Sequence, residues 1–480
     1  MVQIPKRVTD LIKELHNAGF EAYIVGGAVR DFVPGEKPHD WDIASSADTD
    51  ILQKIFSDRH FVPSGIQYGT VTVDGYELTT FRSESTYSDG RHPDAVTFAK
   101  TIEEDLKRRD FTINAMALDP TKPDRIIDPY DGQADLHDGL IRCVGDPKER
   151  FSEDALRMMR AIRFAAKFDF KIEEKTWRAI QDTSDLIRNV SAERICAELE
   201  KTLLSSHPKQ GMNLLYDSGL MDQILPEVAD LAGVINNFNP DEMLMKPSLF
   251  HETVDTLKSL KYEKVFGNEK CVFFAALCYN LGKPGVITKD CDGVTKFPGF
   301  AAKSTEIAEN LLKRLKFSND DLKYTLELIQ YSDPEALLEV RGKGTPNQIA
   351  ANIRRFAAEH TAKFGDSFLR DLLSLGVSIS CATLYPSSRQ MRAKQENGSF
   401  YVDFCKLCKE FVENGTAITM NQMTVNGNDV REHGFEGKEI GTVLSELYQK
   451  CLENPKLNDR GSLLEILENM QEKEKEEDLE

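Results

Sequence analysis

The chain has 480 residues, 40% of them hydrophobic and 29% charged, and carries a formal net charge of −19. That composition is ordinary for a globular protein of three or four structural units at ~150 residues each. The acid excess argues against a protein that coats nucleic acid non-specifically, and no run of ~18 apolar residues is present to cross a membrane.

The first residues, Met1 to Arg7, lack the apolar core of a signal peptide. Nine scattered cysteines read as reduced thiols of a cytoplasmic protein. Cys405 and Cys408 are the only close pair. With no second pair to complete a zinc site, they read as two residues of a helix. Residues 471–480 hold six acids and two lysines, and so supply −4 of the total charge as a solvated, frayed tail. Any RNA contact must therefore use local basic patches, such as residues 142–171, where eight basic residues face five acids.

In chain order, helical periodicity runs from Val8 to Ala18, a strand follows at Ala22–Val25, and a second helix covers Asp50–Phe56. Thr70–Val73 and Tyr76–Phe81 flank Asp74-Gly75, which predicts a hairpin because a type I′ turn needs positive φ at both positions. The first ~145 residues thus form a small α+β head with a mixed sheet. From residue 146 the pattern is helical, as in Glu153–Phe168, Ala192–Leu204 and Leu249–Leu260, with breaks near 205–208, 237–240, 283–285 and 342–346.

Three segments can carry chemistry. Behind the first strand, Gly26-Gly27 brings backbone N–H groups close to a ligand, and Arg30 follows. Asp40 and Asp42, spaced i, i+2, project from one face of an extended chain. With Glu77 from the hairpin as third carboxylate, they are the donors a pair of metal ions needs to activate a hydroxyl and neutralise a triphosphate. The second segment holds Arg109, whose planar fork suits phosphate, with Asp110 and Asn114 placed to bond ribose hydroxyls or simply to cap a helix. In the third, Ser152 reads as an N-cap. Asp154, Arg157, Arg160 and Arg163 then step by three along one helix, so Asp154 and Arg157 sit side by side. An acceptor beside a forked donor matches the exocyclic amine and bare ring nitrogen of cytosine and adenine, and mismatches uracil and guanine.

These motifs, together with Asp128, Gly132 and Asp135 between them, resemble class II tRNA nucleotidyltransferases. That CCA-adding enzyme family shares its N-terminal motifs with bacterial poly(A) polymerases. The resemblance implies a polymerase-β-like nucleotidyltransferase head (1–145), a helical neck that reads the base (146–205), a helical body (206–400) and a helical tail (401–480). It implies Mg2+ on Asp40 and Asp42. Nucleotide contacts would come from Gly26, Gly27, Arg30, Arg109, Asp110, Asn114, Asp154, Arg157, Arg160 and Arg163. The substrates would be CTP, ATP and tRNA, gripped at acceptor stem and elbow, with no membrane and no obligate protein partner. A full-length loop at 82–93 favours complete CCA addition over the A-only, CC-only or poly(A) alternatives. Leu277–Pro284, downstream of His251, resembles an HD phosphohydrolase segment in which Tyr279 and Asn280 stand where the metal-binding pair would be. That predicts the scaffold of such a domain without its catalysis.

Overall fold

The computed structural model describes residues 3–66, 69–83, 98–123, 125–234, 248–289, 291, 295–382 and 388–477. Positions 84–93 of the loop expected to govern specificity, and the predicted break near 237–240, lie outside the described residues. The chain divides into two compact units, Met1–Ala229 and Asp230–Glu480.

In the first unit, α1 (Lys6–Asn17) buries Val8, Leu11, Ile12 and Leu15, an i, i+3, i+4, i+7 stripe. It covers one face of a seven-stranded sheet in the order β3-β4-β5-β2-β1-β6-β7. The strands are β1 (Ala22–Val25), β2 (Ile43–Ser45), β3 (Phe61–Gly65), β4 (Thr70–Val73), β5 (Tyr76–Thr80), β6 (Ala117–Leu118) and β7 (Ile126–Ile127). Among the described residues of this sheet, only β2 and β5 pair in parallel. Alternation along the strands sends Ile24, Ile43 and Leu78 into the core under α1, and Val25 and Ala44 into a second core with Leu106. The β4–β5 turn has the expected form, with φ 51° at Asp74 and 87° at Gly75. Two short helices connect the first strands: α2 (Gly27–Phe32) directly after β1, and α3 (Thr49–Ile55), capped by the Asp48 side chain. Helix α4 (Ile102–Lys107) supplies Leu106.

Helices α5 (Gly132–Asp138), α6 (Pro147–Glu153), α7 (Leu156–Phe168), α8 (Glu174–Thr183), α9 (Ala192–Leu203) and α10 (Pro208–Asp217) follow. The single helix expected over Glu153–Phe168 is instead two, broken at Asp154 (φ −145°, ψ 101°) and Ala155. Asp146, accepting from Lys148 N and Glu149 N, caps α6 ahead of Pro147. Ser152 is not the cap; its hydroxyl donates back to Lys148 O at 2.8 Å. The Asp154 carboxylate accepts from Leu156 N at 3.1 Å, a side-chain bond that competes with continuation of the helix.

Among its described residues the second unit is helical apart from a short antiparallel pair, Thr288–Lys289 with Thr295–Lys296. Ser388–Glu413 is one continuous helix. The expected frayed tail is mostly helical: Arg460–Glu477 is one helix, anchored by Leu463 and Leu467 in a core with Leu447 and Cys451, and its Glu/Lys run favours that state. No disulfide joins any of the nine cysteines. Cys405 and Cys408 are buried in the Ser388–Glu413 helix, where burial pushes the Cys405 thiol up to about 12. Among the described residues no helix is long and apolar enough to cross a membrane.

Tyr279 and Asn280 face inward. The Tyr279 hydroxyl donates to Glu252 Oε1 at 2.9 Å, and Asn280 Nδ2 donates to Thr253 Oγ1 at 3.0 Å. The Lys283 ammonium shares that Glu252 oxygen at 2.9 Å and lies 4.9 Å from the Phe300 ring centroid. One buried carboxylate is thus paired with one buried cation.

Candidate active site

Of the thirteen residues singled out to hold metal or nucleotide, all except Glu77 line one cavity of 790 Å3 in the first unit. Its first edge is the turn after β1. Gly26 has φ 67° and ψ −131°, a backbone that L side chains avoid, and a Cβ there would meet Arg109 Nη1 at 2.9 Å. A Cβ does fit at Gly27, 3.4 Å from Arg30 Nη2 at the start of α2. The turn therefore lets backbone and two guanidinium groups crowd one point.

A chain of hydrogen bonds runs from that turn across the cavity floor. Arg30 is buried; it donates from Nε to Asp31 Oδ1 at 2.9 Å and from Nη1 to Asn114 Oδ1 at 2.7 Å. Asn114 Nδ2 donates to Asp110 Oδ1 at 3.1 Å, and Phe111 N reaches the same oxygen at 2.8 Å. The other Asp110 oxygen accepts from Arg160 Nε at 2.8 Å and Nη2 at 2.6 Å. All four acceptor positions of Asp110 are thus occupied. Burial alone would raise its pKa, but Arg160 and Asn114 outweigh it and hold the carboxyl at about 2. Beside this chain, Asp105 of α4 is buried and accepts from Arg108 Nη2 at 2.6 Å and Arg109 Nη2 at 3.0 Å. Burial pushes its carboxyl upward, and Arg109 and Arg108 hold it below the usual range.

Asp40 and Asp42 lie in the extended segment just before β2, not inside the strand. Trp41 between them is buried while both aspartates are exposed, and Asp42 O accepts from Val25 N at 3.0 Å, so the expected side-by-side projection holds. Glu77 lies outside the cavity lining. In the parallel pairing of β2 with β5, Ile43 stands opposite Leu78, which brings Glu77 beside Asp42. Although Asp42 is open to solvent, the protein packed around it, then Glu77, push its carboxyl above its usual range; Arg109 opposes them and Asp40 adds to them. Among the described residues no three His, Cys, Asp or Glu side chains converge tightly enough to hold a metal. Asp40 and Asp42 are oxygen donors of the kind a divalent metal ion takes.

Asp154 and Arg157 both line the cavity, but they are not the adjacent pair on one helix that a step of three predicts. Asp154 sits in the break before α7 and accepts from Arg194 Nη2 at 2.7 Å. Arg157 donates from Nη1 to Glu153 Oε2 at 2.6 Å and from Nη2 to Arg108 O at 3.2 Å. Arg157, Arg160 and Arg163 do share α7, whose opposite side buries Met158, Met159 and Ile162. Arg163 Nε donates to Glu198 Oε2 of α9 at 2.6 Å. The lining also includes Arg108, Leu156, Phe164, Lys167, Arg194 and Lys201, which were not among the proposed site residues. Arg194, Glu198 and Lys201 are spaced i, i+4, i+7 on α9. That stripe is readable in the sequence; the cavity it faces is not.

Residues 22–142 match the family described as "Poly A polymerase head domain", and residues 169–231 match "Probable RNA and SrmB- binding site of polymerase A". The chain is 51% identical over 219 residues, 45% of its length, to the CCA-adding enzyme of Ligilactobacillus salivarius, and covers 53% of that relative. It is 45% identical over 250 residues, 50% of its length, to the CCA-adding enzyme of Leuconostoc mesenteroides, and covers 61% of that one. The chain thus matches little more than half the length of these relatives. Its fold is similar to that of the Bacillus stearothermophilus CCA-adding enzyme in complex with CTP, with a TM-score of 0.67, 25% identity, 99% of this chain covered and 100% of that one. The Thermotoga maritima CCA-adding enzyme complexed with tRNA shares the fold at a TM-score of 0.57 and 21% identity, covering 97% of this chain and 95% of that one. Two aspartates, a Gly-Gly turn and an arginine-bearing helix thus surround one cavity in a chain whose residues 22–142 are similar to the poly(A) polymerase head domain and about half of which is similar to CCA-adding enzymes.

Proposed function

We propose that this chain adds C, C and A to the 3′ ends of tRNA without a nucleic-acid template, using CTP and ATP, in the cytoplasm. One observation carries the reading: a single cavity holds both aspartates, the Gly-Gly turn and the base-discriminating residue types Asp154 and Arg157. The matched relatives are named CCA-adding enzymes, and one similar structure holds CTP.

In this reading Asp40 and Asp42, with Glu77 beside them, hold divalent metal, and magnesium is the ion their oxygen donors suit. When bound, that ion lowers the pKa of the attacking 3′-hydroxyl and neutralises charge on the leaving pyrophosphate. Gly26, Gly27, Arg30 and Arg109 orient the triphosphate. Asp110 and Asn114 face the ribose; a direct bond from Asp110 must displace one of its four present donors. Asp154 accepts from the exocyclic amine of C or A while Arg157 donates to the ring nitrogen. Each keeps its present partner, Arg194 or Glu153, which fixes the direction of its remaining donors or acceptors. A U or G leaves buried groups unpaired at ~1–3 kcal/mol each, a basis for selection without a template. Arg160 and Arg163 contact phosphate. The helical remainder, read as body from 206 and tail from 401, grips the tRNA.

Labelled CTP or ATP, supplied singly to tRNA ending in the discriminator base, in CC or in CCA, tests this reading. Two C residues should enter the bare end, one A should enter the CC end, and nothing should enter the CCA end. Incorporation of A onto CC with none of C onto the bare end would establish an A-adding enzyme instead. Long A tracts on any end would establish a poly(A) polymerase.

A further inference from the structure

Phe164 of α7 is buried in the cavity wall. The guanidinium carbon of Arg163 stands 4.0 Å from its ring centroid, that of Arg30 5.3 Å and that of Arg160 5.5 Å. Phe168 stacks on it at 5.9 Å with an interplanar angle of 8°. That second ring takes Arg30 at 4.9 Å and the Lys167 ammonium at 5.0 Å. Phe111 closes the group edge-on, 5.8 Å from Phe164. Four cations therefore meet two stacked rings at one side of a cavity large enough for a nucleotide.

Like charges at this spacing repel, and burial disfavours the charge on Arg163, with Glu198 opposing it only in part. Each guanidinium has polar partners at its rim: Asp31 and Asn114 for Arg30, Asp110 for Arg160, Glu198 for Arg163. A phenyl ring presents its negative π face to a cation, so the ring both offsets the repulsion and sets the planes. Arg30 comes from α2, whereas Arg160 and Arg163 come from α7. The ring is therefore where cations from two elements are brought into one wall.

We infer that Phe164 is a positioning residue which, through the face of its ring, holds Arg30, Arg160 and Arg163 toward the nucleotide triphosphate. The inference rests on the nucleotide-binding reading above, and its test separates the two. Phe164 is replaced in the full chain by mono-, di- and trifluorinated phenylalanine, which nearly keep the volume while draining the ring face, and by leucine as Phe164→Leu. The dissociation constant for CTP is measured in magnesium buffer without tRNA, beside the thermal midpoint. The logarithm of that constant should rise stepwise with each fluorine, reaching about tenfold weaker binding for the trifluorinated ring and for leucine, at an unchanged midpoint in the fluorinated series. Equal affinity across the fluorinated series overturns the inference, since packing alone does not sense ring electronics. If the leucine variant does not fold, the fluorinated series still decides. If the parent chain binds no CTP, the nucleotide reading fails, and the same series read with inorganic triphosphate decides the role of the ring: graded weakening supports it and a flat response ends it.

Discussion

Two carboxylates of one cavity have opposite electrostatic situations. Asp110 is held at about 2 because Arg160 and Asn114 compensate its burial. Asp42 is pushed above its usual range by burial and by Glu77, with Arg109 only partly opposing. The first anion is already neutralised by the protein, whereas the second has no such compensation, as the metal role proposed for it requires. Asp42→Ala should abolish nucleotide incorporation and leave tRNA retention on a filter intact; loss of both would point to a folding role. In the second unit Asp333 is buried at the N-cap of Pro334–Arg341, accepting from Glu335 N at 3.0 Å. Burial pushes its carboxyl up to about 6. Because the folded-state value lies above the unfolded one, the folded chain holds the proton more tightly and stability falls as pH rises from about 4 to 6. Asp333→Asn keeps a capping acceptor without the charge. It should be more stable than the parent by ~1–3 kcal/mol at pH 7.5, with the advantage gone at pH 4. Urea unfolding at the two pH values measures this, and a variant less stable at both would show that the charged form is needed.

At the scale of elements, the β1–α2 junction and the α6–α7 break position the cavity. At the junction the chain passes from strand to helix through Gly26 at positive φ, which leaves no room for a side chain beside Arg109. Gly26→Ala should displace Arg109 and cost ~1–3 kcal/mol of stability from backbone strain alone. Nucleotide affinity should fall even in protein that remains folded, as read by CTP titration beside a thermal melt; unchanged affinity would show that Arg109 takes no part in holding the nucleotide. The α6–α7 break was hidden from helical periodicity, because Asp154 fits a step of three as well as it fits a cap. What decided it was local competition: Asp146 and Pro147 start a helix early, and the Asp154 side chain captures Leu156 N. The β4–β5 hairpin was legible, since only a few residue types accept positive φ at both turn positions.

For the molecule as a whole, a net charge of −19 coexists with a cavity in which nine Arg and Lys side chains outnumber four Asp. Net charge governs long-range repulsion, whereas binding of a polyanion follows the local field. tRNA affinity should therefore drop about tenfold or more between 50 and 200 mM salt for as few as two or three phosphate contacts. An affinity insensitive to salt in a filter-binding series would exclude a phosphate-based grip.

Periodicity, turn chemistry and motif order were enough by themselves to give the α+β head, the helical remainder and twelve of the thirteen residues proposed for the site that line one cavity. These features depend on neighbours within about one helical turn or one strand pair. Partner choice does not. Asp110 meets Arg160 fifty residues on, Asp154 meets Arg194 forty residues on, and Arg30 meets Asn114 eighty-four residues on. The gathering of Arg30, Arg160 and Arg163 on Phe164 likewise exists only once α2 and α7 are folded together. Spacing along a chain identifies which groups share a face; which faces meet, and so which charges are neutralised and which are left for a ligand, is decided by the packing of distant elements.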